Sequence, residues 1–322
     1  MFHWKKMGKV FDPTEIKNRP AWMNEYAQAP AALVFDDFVR VYFSCREPRD
    51  KNGQIISHSA FVDLDRNNLL NIVNTAKEPI IKLGDKGCFD EFGIYPVSII
   101  KEKEEVLCYY TGHTRCESVP FDTAIGYAVS KNNGVTFEKK GVGPVLSHSL
   151  NEPFCLSGPK IRKFNDSFYL FYIAGKKWLI KDERKELIYK IKMATSYDGI
   201  NWVKSDKDLI KDKIGGREVQ ASPDVFYKNG KYHMFFCYML TPDFRFDKSK
   251  SYRIGYASST DLINWDRDDS KAGIDVSKEG WDSKMIAYPH VFELDGKIYM
   301  LYLGNEVGRY GFGLAELVGE LK

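Results

Sequence analysis

The chain has 322 residues, of which 43% are hydrophobic and 14% aromatic, enough apolar material for a large packed core. Its formal net charge of +3 leaves no electrostatic footprint for a nucleic-acid polymer or a membrane surface, and no basic run with interleaved aromatics occurs. The six cysteines (45, 88, 108, 116, 155 and 237) are scattered without a C-x-x-C pair, so the sequence points to no disulfide framework, no metal site and no cofactor.

In chain order, "MFHWKKMGKVFDP" has lysines but neither an apolar h-region nor a small-residue cleavage site, and no 18-residue apolar run follows anywhere. A cytoplasmic location is therefore expected. The segment "HWKKMGKVF" reads as one strand. After it the chain says nearly the same thing five times: "APAALVFDDFVRVYFSC" from Ala29, "YPVSIIKEKEEVLCYYTG" from Tyr95, "GPKIRKFNDSFYLFYIAG" from Gly158, "SPDVFYKNGKYHMFFCYM" from Ser222 and "YPHVFELDGKIYMLYLGN" from Tyr288. Each has a proline, an apolar run, a polar turn and an aromatic-rich apolar run, which is a strand, a tight turn and a second strand.

The prolines are Pro30, Pro96, Pro159, Pro223 and Pro289, at intervals of 66, 63, 64 and 66 residues. A second marker runs in phase with them. "SKNNGVTF" from Ser130, "SYDGINW" from Ser196 and "STDLINW" from Ser259 each follow an alternating run such as "TAIGYAVS", "YKIKMATS" or "YRIGYASS". Alternation followed by Asn, Asp or Gly and then an aromatic predicts a third strand, a hairpin turn and a fourth strand.

A unit of four strands repeated about every 65 residues, with no helical periodicity, predicts an all-β protein built as a five-bladed β-propeller. The blades start near 29, 95, 158, 222 and 288, and one domain spans 1–322. The last unit supplies three strands, so the N-terminal strand is expected to close the ring and remove an open edge. Tyr109, Tyr172, Phe235, His233, Cys108 and Cys237 sit inside the strand runs and are expected in the core.

In such a ring two sets of residues converge on one face of the axis. The segments before the prolines carry Glu25 and Gln28, Asp90 and Glu91, Glu152, Glu218 and Gln220, and Asp282. The loops after the aromatic strands carry Arg46, His113 and Arg115, Lys176 and Trp178, Tyr238 and Arg245, and Asn305 and Arg309. A carboxylate ring suits acetal chemistry, in which one protonated carboxyl group serves the leaving oxygen and a second, ionised one acts as base or nucleophile. Glu91, Glu218 and Asp282 are the first acid/base candidates, followed by Asp90, Glu152 and Glu25. Rings such as Trp178 and Tyr238 suit the apolar face of a sugar, and the cations suit phosphate or an acidic sugar.

The five repeats, the "DGxNW" turns and the early "WMNEYAQAP" resemble the five-bladed propeller glycosidases of glycoside hydrolase families 32, 43, 68, 117 and 130. "WMNEYAQ" is similar to the family 32 motif W-M-N-D-P-N, and the repeat resemblance covers nearly the whole chain. It implies a carbohydrate-active enzyme that cleaves or transfers a glycosidic or glycosyl-phosphate bond. In the family 43 pattern an Asp immediately precedes the first proline and an acidic residue stands close before the third. Here Ala29 and Gly158 hold those places, with Gln28 and Ser157 beside them. That departure keeps open a phosphorylase or glycosyltransferase that takes phosphate or a nucleotide sugar, and a sugar-binding propeller without catalysis.

Overall fold

A computed structural model describes residues 2–321 as five four-stranded antiparallel sheets set around one axis. Blade 1 comprises β2 (Glu25–Val34), β3 (Phe38–Arg46), β4 (Ser57–Asp65) and β5 (Asn68–Thr75). Blade 2 comprises β6 (Ile94–Glu102), β7 (Glu105–Arg115), β8 (Phe121–Ser130) and β9 (Glu138–Lys139). Blade 3 is β10 (Phe154–Phe164), β11 (Ser167–Lys181), β12 (Arg184–Ser196) and β13 (Val203–Lys204). Blade 4 is β14 (Glu218–Lys228), β15 (Lys231–Leu240), β16 (Arg253–Ser259) and β17 (Asp266–Arg267).

Blade 5 takes β18 (Ala287–Leu294), β19 (Lys297–Leu303) and β20 (Phe312–Val318) from the end of the chain and β1 (His3–Phe11) from its start. β1 pairs with β20 from His3↔Val318 to Phe11↔Phe312, so the first strand closes the ring as the strand count predicts. Consecutive inner strands touch, and β18 touches β2, which completes the circle.

The repeated prolines have a geometric cause. In all five blades the register between the first two strands shifts across the proline: between Gln28 and Ala31, Ile94 and Val97, Ser157 and Lys160, Ala221 and Asp224, and Ala287 and His290. Proline has no N–H for the ladder, so it is tolerated at a bulge, and the bulge re-aims the residues beside it. The residue before the proline has a left-handed backbone in four blades: Ala29 (φ 51°), Gly158 (63°), Ser222 (50°) and Tyr288 (51°).

The turn signature ties neighbouring blades together. Asp198 accepts from the N–H groups of Ile200 and Asn201 at 2.9 and 2.8 Å, and Ser196 Oγ accepts from Gly199 N–H at 2.9 Å. Gly199 (φ 75°) leaves its carbonyl free to accept from the hydroxyl of Tyr109 on blade 2 at 2.7 Å, where an added Cβ would lie 2.6 Å from that oxygen. Tyr42 of blade 1 makes the same bond to the Gly134 carbonyl at 3.0 Å. Tyr109, Tyr172, Phe235, Cys108 and Cys237 are buried between blades, and His233 is buried with its ring bonded to Tyr256 at 2.7 Å.

Candidate functional site

One cavity of about 670 Å³ opens over the axis on the face that bears the pre-proline segments. That volume suits a small-molecule ligand. Its base is aromatic. Tyr95 and Tyr288, the residues directly before Pro96 and Pro289, are turned inward by the bulges, and their hydroxyls lie 3.2 Å apart. Beside them the hydroxyls of Tyr189 and Tyr252 bond at 2.9 Å. Burial raises all four phenols above their ordinary range, so they remain neutral hydroxyls that can donate and accept.

Arg46, at the end of β3, lies over the rings of Tyr26 at 4.1 Å and Tyr95 at 5.8 Å. Its Nη2 donates to Gln28 Oε1 at 2.8 Å, while its Nε is buried without a hydrogen-bond partner. His113 lies against Tyr95 and shares a 2.8 Å hydrogen bond with the Tyr95 carbonyl oxygen. Burial, with the Arg46 charge acting the same way, lowers its pKa to about 4 against the opposing pull of that carbonyl, so the ring is neutral near pH 7.

The walls carry more cations stacked on rings. Arg115 covers Phe92 at 4.1 Å and Arg245 covers Phe244 at 4.4 Å. The hairpin of β11 and β12 stays paired out to Lys181↔Arg184 and brings Trp178 edge-on to Phe121 at 5.7 Å. Four carboxylates reach the cavity: Glu117, Glu183, Glu186 and Glu306. Glu186 faces Arg245 at 3.5 Å.

The six carboxylates expected to ring this cavity do not line it, which corrects the expectation for Glu25, Asp90, Glu91, Glu152, Glu218 and Asp282. Four of them fasten each blade to its own outermost strand. Asp90 pairs with Lys139 of β9 at 2.5 Å, Glu152 with Lys204 of β13 at 2.7 Å, Glu218 with Arg267 of β17 at 2.5 Å and Asp282 with Lys6 of β1 at 2.6 Å. Tyr110, Tyr172 and Tyr302 each donate a hydroxyl to the carboxylate of their blade at 2.9–3.1 Å. Glu91 accepts from Gly87 N–H within its own loop, and Glu25 pairs with Arg309 at 3.0 Å.

The physical reason is distance along the chain. Five to seven residues before the proline, Asp90, Glu91 and Asp282 stand in the turns that precede β6 and β18, Glu152 stands just before β10, and Glu25 and Glu218 are the first residues of β2 and β14, all upstream of the bulge that turns side chains toward the axis. Gln28, Tyr95 and Tyr288, one or two residues before their prolines, do reach the centre.

Among the other expected ligand residues, Gln28, Arg46, His113, Arg115, Trp178 and Arg245 line the cavity. Lys176 is instead paired with Asp208 at 2.9 Å, Gln220 is bonded to Glu218 at 2.8 Å, and Tyr238 lies under Arg267 at 4.9 Å. Asn305 accepts from the N–H of Lys284 at 2.7 Å, and Arg309 is held by Glu25 and Glu306, so these two shape the rim loop rather than line the cavity.

That rim loop carries a feature that no sequence pattern announces. Glu306 and Val307 both have left-handed backbones, with φ of 55° and 56°, which for a β-branched valine is a strained conformation. Gln28 Nε2 donates to the Val307 carbonyl at 2.5 Å and thereby pins the loop to the same amide that holds Arg46. The tyrosines before Pro96 and Pro289 were legible as pre-proline positions. Glu306 had no local signal.

Known proteins resemble this chain along nearly its whole length. Over 315 residues the chain is 33% identical to the uncharacterized protein Rv1502 of Mycobacterium tuberculosis strain H37Rv, and equally to MT1551 of strain CDC 1551, covering 98% of this chain and 99% of each relative. The family model for the glycosyl hydrolases family 32 N-terminal domain matches residues 71–226. The solved structure of BT0996 in an RGII complex superimposes with a TM-score of 0.75 at 18% identity, over 98% of this chain and 92% of that one. A structure from the GH130 family of mannoside phosphorylases, which contains glycoside hydrolases that target beta-1,2 mannosidic linkages in Candida mannan, gives 0.70 at 15% identity, over 98% and 94%. At these identities the likeness is one of fold.

Proposed function

The chain belongs to the same family as the two mycobacterial relatives and is built as a glycosidase-like five-bladed propeller, and on that premise we propose that it is a carbohydrate-active enzyme whose axial cavity holds a sugar bearing an anionic group. The observation that carries the reading is Arg46. It reaches the cavity base, no carboxylate pairs with it among the described residues, and its buried Nε lacks a partner. A guanidinium offered in this way matches the oxygens of a phosphate or a carboxylate. The neutral tyrosine hydroxyls suit sugar hydroxyl groups, and Trp178 suits a sugar face.

The reaction class we favour is supported by where the acids stand. Hydrolysis by the two-carboxylate route needs an acid and a base or nucleophile on opposite sides of the anomeric carbon. The cavity base bears tyrosines, Gln28, His113 and Arg46, and the four acids belong to the loops and hairpin around it. Transfer to or from phosphate needs fewer protein acids, because a phosphate oxygen itself forms the new bond to the anomeric carbon as the glycosidic C–O bond breaks. The departing oxygen takes a proton from one carboxyl group, and the incoming phosphate surrenders one to restore it. Glu306 is our candidate for that carboxyl group, since Gln28 couples its loop to Arg46.

A thermal-shift panel tests the reading on the full chain. Sugar 1-phosphates, uridine diphosphate sugars and uronic acids should raise the melting temperature, and Arg46→Ala should remove the rise. With a stabilising ligand in hand, Glu306→Gln should keep the shift and lower turnover 10²- to 10⁴-fold. Stabilisation by neutral oligosaccharides alone would instead favour hydrolysis or sugar binding without catalysis.

A further inference from the structure

Below the tyrosine base, the central channel is filled by charged groups that no step above uses. One residue after the prolines, the five inner strands present Ala31, Val97, Lys160, Asp224 and His290. Lys160 is 3% exposed, and its Nζ donates to the carbonyl of Pro289, the residue next to the cavity's Tyr288, at 3.4 Å. Asp224, fully buried, lies 3.8 Å from Lys160 and accepts from Arg162 at 2.7 Å and from Val291 N–H at 2.6 Å. Arg162 also donates to the Val225 carbonyl at 2.7 Å.

The charges do not cancel. Burial pushes the Asp224 carboxyl up, but the charge of Arg162 foremost, with that of Lys160, outweighs it and holds it well below the usual range, so it is ionised. Burial lowers His290 to about 4, so its ring is neutral. One carboxylate therefore faces two cations, Lys160 and Arg162. The carboxylate's short contact is to Arg162, and Lys160 is the enclosed cation left with a carbonyl and a distant acid. A buried charge without a full partner is unfavourable in a medium of low dielectric unless an opposite charge arrives nearby.

We propose that Lys160 is a positioning charge for the anion in the axial cavity: it sits one layer beneath Tyr288, never touches the ligand, and strengthens anion binding at Arg46 through the low-dielectric base. This deepens the reading of the cavity as an anionic-sugar site and rests on it. The groups that face Lys160 are Asp224 of β14, Arg162 of its own strand, His290 of β18 and Cys237 of β15, with Ala31 and Val97 at the matching places of β2 and β6. Burial lowers the amine to about 8, Asp224 pulls it up and Arg162 pushes it down. Arginine keeps its charge through this range, and burial raises the Cys237 thiol to about 12.

Sulfate is the probe, since it keeps one charge state from pH 6.5 to 9.5, and calorimetric titration of the full chain at fixed ionic strength is the measurement. Wild-type affinity should fall about three- to tenfold as pH rises through 8, when the amine loses its proton. Lys160→Arg should hold its affinity at pH 9.5, and Lys160→Met should bind weakly at both values without a slope. A flat wild-type profile overturns the proposal with no variant required, and so does a Lys160→Met protein that keeps the slope. If sulfate fails to bind the wild type, or binds Arg46→Ala equally well, the reading of the cavity itself falls. Sulfate binding that needs Arg46 but ignores Lys160 sinks only the present inference.

Discussion

Lys6, on the first strand of the chain, donates to Asp282 Oδ2 at 2.6 Å in the last blade, and Tyr302 donates to the same oxygen at 3.1 Å. The ring is thus closed by an ion pair as well as by the β1–β20 ladder, at the position where Lys139, Lys204 and Arg267 fasten blades 2, 3 and 4. Lys6→Met leaves a nearly buried carboxylate with one hydroxyl partner and should destabilise the protein by about 1–3 kcal/mol. Denaturant midpoints of Lys6→Met, Asp282→Asn and the double variant form the check. A double variant that loses the sum of the two single losses would mean that the pair is not coupled.

Glu218→Gln should alter the acid limb of stability. Burial pushes this carboxyl up, but hydrogen bonds from Gln220, from the N–H groups of Lys213 and Ile214, and from Arg267 outweigh it and hold it below its ordinary value. A depressed carboxyl stabilises the fold above the unfolded pKa, about 4.3, and that contribution disappears as pH falls through the folded value. Wild-type midpoints should therefore drop below about pH 4 more steeply than those of Glu218→Gln. Parallel curves would show that the Arg267 latch contributes nothing through this group.

Two histidines should make stability rise with pH between about 4 and 6.5. His113 and His290 are lowered to about 4 in the folded state, mainly by burial, whereas an unfolded histidine titrates near 6.5. In that window the unfolded chain binds protons that the native state does not, so acid favours unfolding. Replacing His113 with Gln should flatten its share of the slope in a pH series of thermal melts. An unchanged slope would place its titration elsewhere.

Lys160 should act against the fold it sits in. Its folded value of about 8 lies below the reference 10.5, so protonation is disfavoured in the native state, and stability should increase as pH climbs from about 8 toward 10.5. Lys160→Met should then melt higher than the wild type at pH 7 while binding sulfate more weakly, since Asp224 keeps Arg162 and Val291 N–H. A variant that melts lower and also binds poorly would make Lys160 a packing residue.

The blade count, the four strands of each unit and the closing role of "HWKKMGKVF" were written in the sequence, because strand alternation, turn chemistry and the proline bulge are local and recur with the repeat. The same period brought Arg46, His113, Arg115, Trp178 and Arg245 to the axis, since each stands at or beyond the inner end of a second or third strand whose direction the repeat defines. What the sequence could not show is how far a connecting segment travels before it reaches the axis. Asp90, Glu152, Glu218 and Asp282 carry the residue type that acetal chemistry needs, yet partners 49 residues away, as with Glu218 and Arg267, or 276 away, as with Asp282 and Lys6, hold them to the outer strands. Nor could local pattern reveal that Gln28 would join Arg46 to a strained loop 279 residues later, or that Lys160, Asp224 and His290 would meet in the channel. Backbone periodicity decides which strands form. The choice of which charges become partners belongs to the closed ring, where burial makes every unpaired one unfavourable.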